Sequence, residues 1–189
     1  MNADILGGGF TDTSRDAAIA FRATLDALSR PGTIVTVAGA IPPAPLSIAA
    51  GVVILTLIDG TTPLHLAGGY DTKPVRDWIT FHTGAPLVAA QNAAFALGDW
   101  AALQPLGRFA IGSPEYPDRS ATLIVECANL AASGTTLTGP GINGSARLSL
   151  PDPAAFAANA RLYPLGLDFF LTCGTQLAGL PRSARIEVC

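Results

Sequence analysis

The chain has 189 residues, with 11 Lys and Arg against 14 Asp and Glu, a net charge of −3, and only 13% of its positions charged, about half the ~25% of an average globular domain. Ten Arg and the single Lys73 are scattered one at a time, so no basic stripe exists to neutralise a nucleic-acid backbone. The longest apolar stretch, Leu46 to Ile58, falls short of the ~20 residues of a membrane helix, and the start, MNADILGGGF, carries neither a basic region nor a cleavage pattern, so the expected location is the cytoplasm.

Cys127, Cys173 and Cys189 are odd in number and widely spaced, which fits neither a disulfide framework nor a paired zinc or redox motif and predicts free thiols. Apolar residues make up 49% of the chain. Either another subunit covers part of that surface, or the excess is Ala, which is harmless outside.

In chain order, residues 1–12 with Gly7-Gly8-Gly9 read as a flexible terminus, since no strand precedes the glycines and no GK[ST] follows them. Thr13 with Asp16 then reads as a helix start, and Ala17, Phe21, Leu25 and Leu28 share a face opposite Arg15, Arg22 and Asp26. Pro31-Gly32 ends that helix and Thr33 to Val37 is a β-branched strand. Leu46 to Ile58 is apolar on every side, so as a helix it belongs to the core.

Pro63 to Ala67 is a short strand. A helix capped by Asp71 or Thr72 follows, with Pro74 in its first turn and Val75, Trp78, Ile79 and His82 on one stripe. Leu87-Val88 and Phe95 to Leu97 read as strands, Ser113 to Ser120 as a loop, and Ala121 to Cys127 as a central strand covered on both faces. Thr135 to Thr138 and Ala146 to Leu150 alternate like strands nearer an edge, Asp152 caps a helix ending before Pro164, and Phe169 to Cys173, Gln176 to Leu180 and Arg185 to Val188 are late strands. Interleaved helices and strands without a repeat predict one α/β domain over 1–189, a mixed sheet between helical layers in a three-layer sandwich.

Four residues are candidates for chemistry. His82 ends a helix, where the dipole favours a protonated ring, and Thr83 beside it is able to orient that ring or a substrate oxygen; equally, the apolar stripe makes His82 a packed structural residue. Cys173 closes a strand, a common address for reactive groups, although a buried free thiol is the alternative. Asp168 enters the same strand as a turn acid or a general base. His65, between Leu64 and Leu66, receives no role, and Thr138-Gly139-Pro140-Gly141 reads as a tight turn because Pro140 removes one amide donor.

A set of segments spans the chain from Phe21 to its last residue: Phe21-Arg22, Ser29-Arg30-Pro31-Gly32, Leu55-Thr56-Leu57, Thr62-Pro63, Phe81-His82-Thr83-Gly84-Ala85-Pro86-Leu87, Ala121-Thr122-Leu123-Ile124, Leu137-Thr138-Gly139-Pro140-Gly141-Ile142, Pro164-Leu165-Gly166-Leu167-Asp168, Leu171-Thr172-Cys173-Gly174, Leu180-Pro181-Arg182 and Glu187-Val188-Cys189. In that order they resemble the PhnH family, the H subunits of carbon-phosphorus lyase. The resemblance implies a core complex with G, I and J subunits that supports replacement of the adenine of ATP by an alkylphosphonate, giving a ribose 1-alkylphosphonate 5-triphosphate, while a separate iron-sulfur subunit breaks the C–P bond. It also implies a homodimer and a fold similar to that of pyridoxal-phosphate-dependent transferases without the cofactor. No catalytic residue carries over from it, and neither cofactor nor metal is expected. The runner-up reading is a free-standing small-molecule transferase or hydrolase using Cys173 and His82.

Overall fold

In the computed structural model, which describes residues 7–187, the first helix, α1 (Thr13–Ser29), is capped by Asp12 rather than Thr13. The Asp12 carboxylate accepts the Arg15 amide at 3.2 Å, and Asp16 reaches back to the Asp12 amide at 3.0 Å, so two amides without helical partners are satisfied reciprocally. The helix also turns an unexpected face inward. Ala20, Thr24 and Ala27 are buried, whereas Phe21 and Leu25 are each 54% exposed. Close approach explains the difference: a Cβ on Gly179 of the strand β8 (Gln176–Leu180) would lie 2.6 Å from the Leu28 amide nitrogen. Backbone meets backbone there, and only small side chains fit between them.

The main sheet has six strands, β1 (Ile34–Thr36), β2 (Leu64–Leu66), β3 (Phe95–Asp99), β4 (Thr122–Glu126), β7 (Asp168–Cys173) and β8, in the spatial order β1-β8-β7-β4-β3-β2. The four strands from β2 to β7 are parallel, and β8 is antiparallel to both of its neighbours. Leu87, expected within a strand, makes only a single bridge to Leu64. In the central strands both faces are apolar, as full coverage requires: Ile124 and Phe170 face one layer, and Leu123, Val125, Phe169 and Leu171 the other.

The first layer is helical, built from α1, α2 (Ile48–Leu57) and α3 (Lys73–Thr83). Residues Ala49 to Ile54 of α2 are all buried, in keeping with its all-round apolar sequence. Thr72 caps α3, with Pro74 in the first turn, and Gly84 ends it at φ 69°, a left-handed position that glycine occupies without a Cβ penalty. The second layer departs from the expected helical one. Among the described residues it holds one α-helix, α4 (Pro153–Ala160), beside a three-stranded antiparallel sheet of β5 (Thr135–Thr138), β6 (Ala146–Leu148) and β9 (Arg185–Glu187) in the order β6-β5-β9. The alternating segments read as edge strands pair with each other there, and β9 completes them.

Phe156 of α4, Phe169 of β7 and Trp100 anchor this second core, with Trp100 stacked on Phe156 at 4.5 Å and Phe156 edge-on to Phe169 at 4.7 Å. Each buried side chain of this size contributes roughly 1.5–3 kcal/mol. The terminus read as flexible through residue 12 is held from residue 7 onward: the Gly7 carbonyl accepts the Trp78 indole N–H at 3.0 Å, and the Gly8 carbonyl accepts the Ile41 amide at 2.8 Å. Residues 1–6, Val188 and Cys189 lie outside the described residues.

Candidate functional site

The chain leaves β2 toward the helical layer, through Tyr70 and into α3, but leaves β3 and β4 toward the other layer. The carboxyl ends of parallel strands are the end at which open α/β sheets bind ligands. Five titratable side chains gather at this end because the parallel strands run in register. Tyr70 follows β2, Asp99 ends β3, Glu126 ends β4 with Cys127 next, and Cys173 ends β7.

Glu126 is only 8% exposed, carried inward by the fully buried Leu123, Ile124 and Val125 that precede it. One carboxylate oxygen accepts the Thr172 hydroxyl at 2.9 Å and the other accepts the Ser47 amide at 2.7 Å. Ser47 is the N-cap of α2, so the carboxylate sits where the helix dipole presents its positive end. The Gly174-Thr175 turn completes the arrangement: the Gly174 carbonyl accepts the Ala49 amide and the Thr175 carbonyl the Val37 amide, both at 2.9 Å. The start of α2 is thus occupied by the protein's own groups.

The electrostatics of this end favour protonated forms. Burial pushes the Glu126 carboxyl above its ordinary value of 4.5, and the bonds from Ser47 and Thr172 offset this only in part. Burial, then the charges of Glu126 and Asp99, push the Tyr70 phenol up to about 12. Burial, with Cys173 and Glu126 adding to it, pushes the Cys127 thiol up to about 11. Each group keeps its proton at neutral pH or is drawn toward keeping it. Tyr70 and Cys127 in such a set are protonated at neutral pH, the form in which a phenol or thiol donates a hydrogen bond.

Of the residues singled out from sequence, only Cys173 belongs to this end. Asp168 starts the same strand, five residues and so about 16 Å away, and its carboxylate pairs with Arg182. That guanidinium is a structural knot: it also donates to the Pro117 carbonyl at 2.7 Å and to the Ser120 hydroxyl, and the Arg182 amide bonds Asp168 at 2.8 Å. His82 lies in the last turn of α3, which runs back to the amino end of β2. There its ring packs 5.0 Å from both Trp78 and Phe81, with Nε2 3.3 Å from the Gly7 carbonyl. The Thr83 hydroxyl donates to the Ile79 carbonyl at 2.8 Å and accepts the Ala85 amide at 3.1 Å, closing the helix end. His82, Thr83 and Asp168 are thus separated from Cys173 by the length of the sheet.

The remaining sequence features resolve into packing. His65 places Nδ1 3.0 Å from the Val88 carbonyl. The Gly-Pro-Gly turn packs on the end of α1, where a Cβ on Gly141, at φ 79°, would fall 1.9 Å from the Ser29 carbonyl oxygen. Lys73 is an exposed partner of Asp77 at 2.6 Å. Among the described residues no three His, Cys, Asp or Glu side chains are gathered as metal ligands, and no helix is long and apolar enough to cross a membrane. Sequence reasoning missed Tyr70, Asp99 and Glu126. The legible signal was Glu126 itself, a carboxylate closing an otherwise apolar central strand.

An α/β sheet with titratable groups at its carboxyl ends is shared by many activities, and the sequence relationships narrow the class. The chain belongs to the family of bacterial phosphonate metabolism proteins (PhnH), whose model matches residues 8–187. Among curated relatives, it is 38% identical over 98% of its length, and 97% of the relative's, to the alpha-D-ribose 1-methylphosphonate 5-triphosphate synthase subunit PhnH of Rhizobium meliloti (strain 1021). It is also 29% identical, over 89% of its length and 85% of the relative's, to the putative C-P lyase subunit protein HtxG of Stutzerimonas stutzeri.

Proposed function

We propose that this chain is the H subunit of a carbon-phosphorus lyase core complex that forms a ribose 1-alkylphosphonate 5-triphosphate from ATP and an alkylphosphonate. The observation carrying this reading is the match through nearly the whole chain to a family and to a synthase subunit, with both chains covered almost end to end. The subunit assembles in the cytoplasm with the G, I and J subunits and supports their reaction rather than performing it alone. The carboxyl-end group of Tyr70, Glu126 and Cys127 is the part of the chain suited to meet a substrate oxygen, since burial raises the pKa of all three.

The fold is read as kin to that of pyridoxal-phosphate-dependent transferases with the cofactor role lost. Lys73, the chain's one lysine, has a side chain 82% exposed and turned to Asp77, away from the strand-end group. The pairing of His82 with Cys173 in a free-standing enzyme draws no support from their places at opposite ends of the sheet. Self-association has a supporting surface in the apolar side chains Phe21 and Leu25, one turn apart on α1 and both more than half exposed.

Co-expression of the chain with the G, I and J subunits, followed by assay of the purified assembly on ATP and methylphosphonate, tests the reading. A stable assembly whose turnover disappears when this chain is omitted is expected. Turnover by the isolated chain, or an equally active assembly without it, overturns the proposal. Sedimentation equilibrium of the pure chain should give a dimer, converted to monomer by Phe21→Ser with Leu25→Ser.

A further inference from the structure

Cys127 and Cys173 occupy matching positions on adjacent parallel strands. Glu126 is in register with Thr172, and the ladder continues one step further because the Cys127 amide donates to the Thr172 carbonyl at 2.8 Å. In a parallel ladder that bond places Cys127 directly beside Cys173, at the strand spacing of about 4.8 Å between Cα atoms. Both thiols are free, both are half-buried, and both pack against the same apolar cluster on the second-layer side of the sheet. Each also stands where its strand stops: the chain bends away after Cys127, and Cys173 is followed by the Gly174-Thr175 turn, with open space around Gly174.

From this juxtaposition we propose that Cys127 and Cys173 form a two-electron redox pair, closed to a disulfide by hydroperoxides and reopened by small thiols, that staples β4 to β7 beside Glu126. The Cα separation falls within the range that a disulfide bridges. Side chains in register on a parallel sheet project alongside one another, so their Cβ atoms start near the strand spacing and must draw closer than in an unstrained disulfide. The movement comes from the Cys127 side, where the chain bends out of the sheet, since Gly174 and Thr175 are held by the Ala49 and Val37 amides, and the strain makes the closed bond easy to reduce. Closing balances with hydrogen peroxide alone, an organic hydroperoxide releasing an alcohol in place of the first water; on reopening, two small thiols pass their hydrogens to the cysteines and leave joined as their own disulfide. Cys173 sulfur attacks the peroxide, the O–O bond breaks, one oxygen leaves as water, and the sulfur is left as a sulfenic acid. Cys127 sulfur then attacks the sulfenic sulfur, the S–O bond breaks, a second water leaves, and the S–S bond forms. Cys173 takes the first step because it borders the open space at Gly174.

The test uses the full-length chain, reduced and desalted, then treated with hydrogen peroxide at limiting excess and alkylated at any thiol that remains. Mass spectrometry of its peptides should show a linked pair containing Cys127 and Cys173, lighter by two hydrogen atoms, that disappears after incubation with reduced glutathione. The link should persist in Cys189→Ser and be absent from Cys127→Ser and Cys173→Ser. Recovery of both thiols in alkylated form, their conversion to separate sulfinic acids, or a dominant link to Cys189 would overturn the pair. The unmodified chain decides the question by itself if either serine variant fails to fold.

Discussion

The two ends of the parallel sheet hold their charged groups in opposite ways. At the amino end, Arg182 and Asp168 saturate one another and bind Pro117 and Ser120 besides, so each buried charge has a partner of opposite sign. At the carboxyl end, burial raises the pKa of Glu126, Tyr70 and Cys127 alike, the charge of Glu126 adds to the shifts of the other two, and no arginine or lysine is among the causes. Paired charge locks a fold, whereas like groups pressed together leave acidity displaced, a condition more often found where ligands are met. Charge pairing thus stabilises one end, and the proposed contact with substrate falls at the other.

Breaking the amino-end knot should have the largest effect. Arg182→Ala leaves the Asp168 carboxylate, 24% exposed, without its cation, and should cost about 3–5 kcal/mol in a urea unfolding titration. An unchanged midpoint would remove the knot's structural role. Next in size is Glu126→Ala, which strips the Ser47 amide and the Thr172 hydroxyl of an acceptor and should cost about 1–3 kcal/mol, with faster hydrogen exchange concentrated at the start of α2.

Glu126→Gln sharpens the comparison through pH. Because burial raises the folded-state pKa above 4.5, the carboxyl's stabilising contribution is fully present below pH 4.5 and is lost as pH rises through the raised value. Wild type should therefore weaken relative to Glu126→Gln between acid and neutral pH when thermal midpoints are compared across that window; a constant difference would mean that the carboxyl is not shifted. The smallest effect on stability belongs to Tyr70→Phe. Ultraviolet titration of wild type minus variant should reveal a phenol ionising near 12, and turnover of the assembled complex should fall about tenfold or more if this end donates a proton to substrate. Full turnover in the variant would place the chemistry elsewhere.

The fold was largely legible because its strongest local signals agree with its packing. The uninterrupted apolar run of α2, the Thr72 cap with Pro74 in α3 and the β-branched core of β4 each have a single favourable environment. The inward face of α1 was not legible, since large residues usually mark the core, yet Gly179 admits the helix backbone so closely that Ala20 and Ala27 pack where Phe21 and Leu25 do not. The helical second layer failed for a different reason: local alternation identifies β5 and β6 but not the surface they cover. Of the candidate site, Cys173 was visible from its place at a strand end. Its neighbours were not, because Tyr70, Asp99 and Glu126 are dispersed along the chain and are gathered only by strand register.

The Gly174-Thr175 turn and the strand that follows it also govern the order in which the chain becomes stable during synthesis. Ile34 pairs with Ala178, Val37 with the Thr175 carbonyl and Ala49 with the Gly174 carbonyl. The first strand and the all-apolar helix are therefore made early but receive their permanent cover only when the last part of the chain has emerged. Such late, non-local closure slows folding and leaves apolar surface open meanwhile. A nascent chain stalled before residue 174 would display α2 as a sticky surface, and that exposure closes only with the turn into β8.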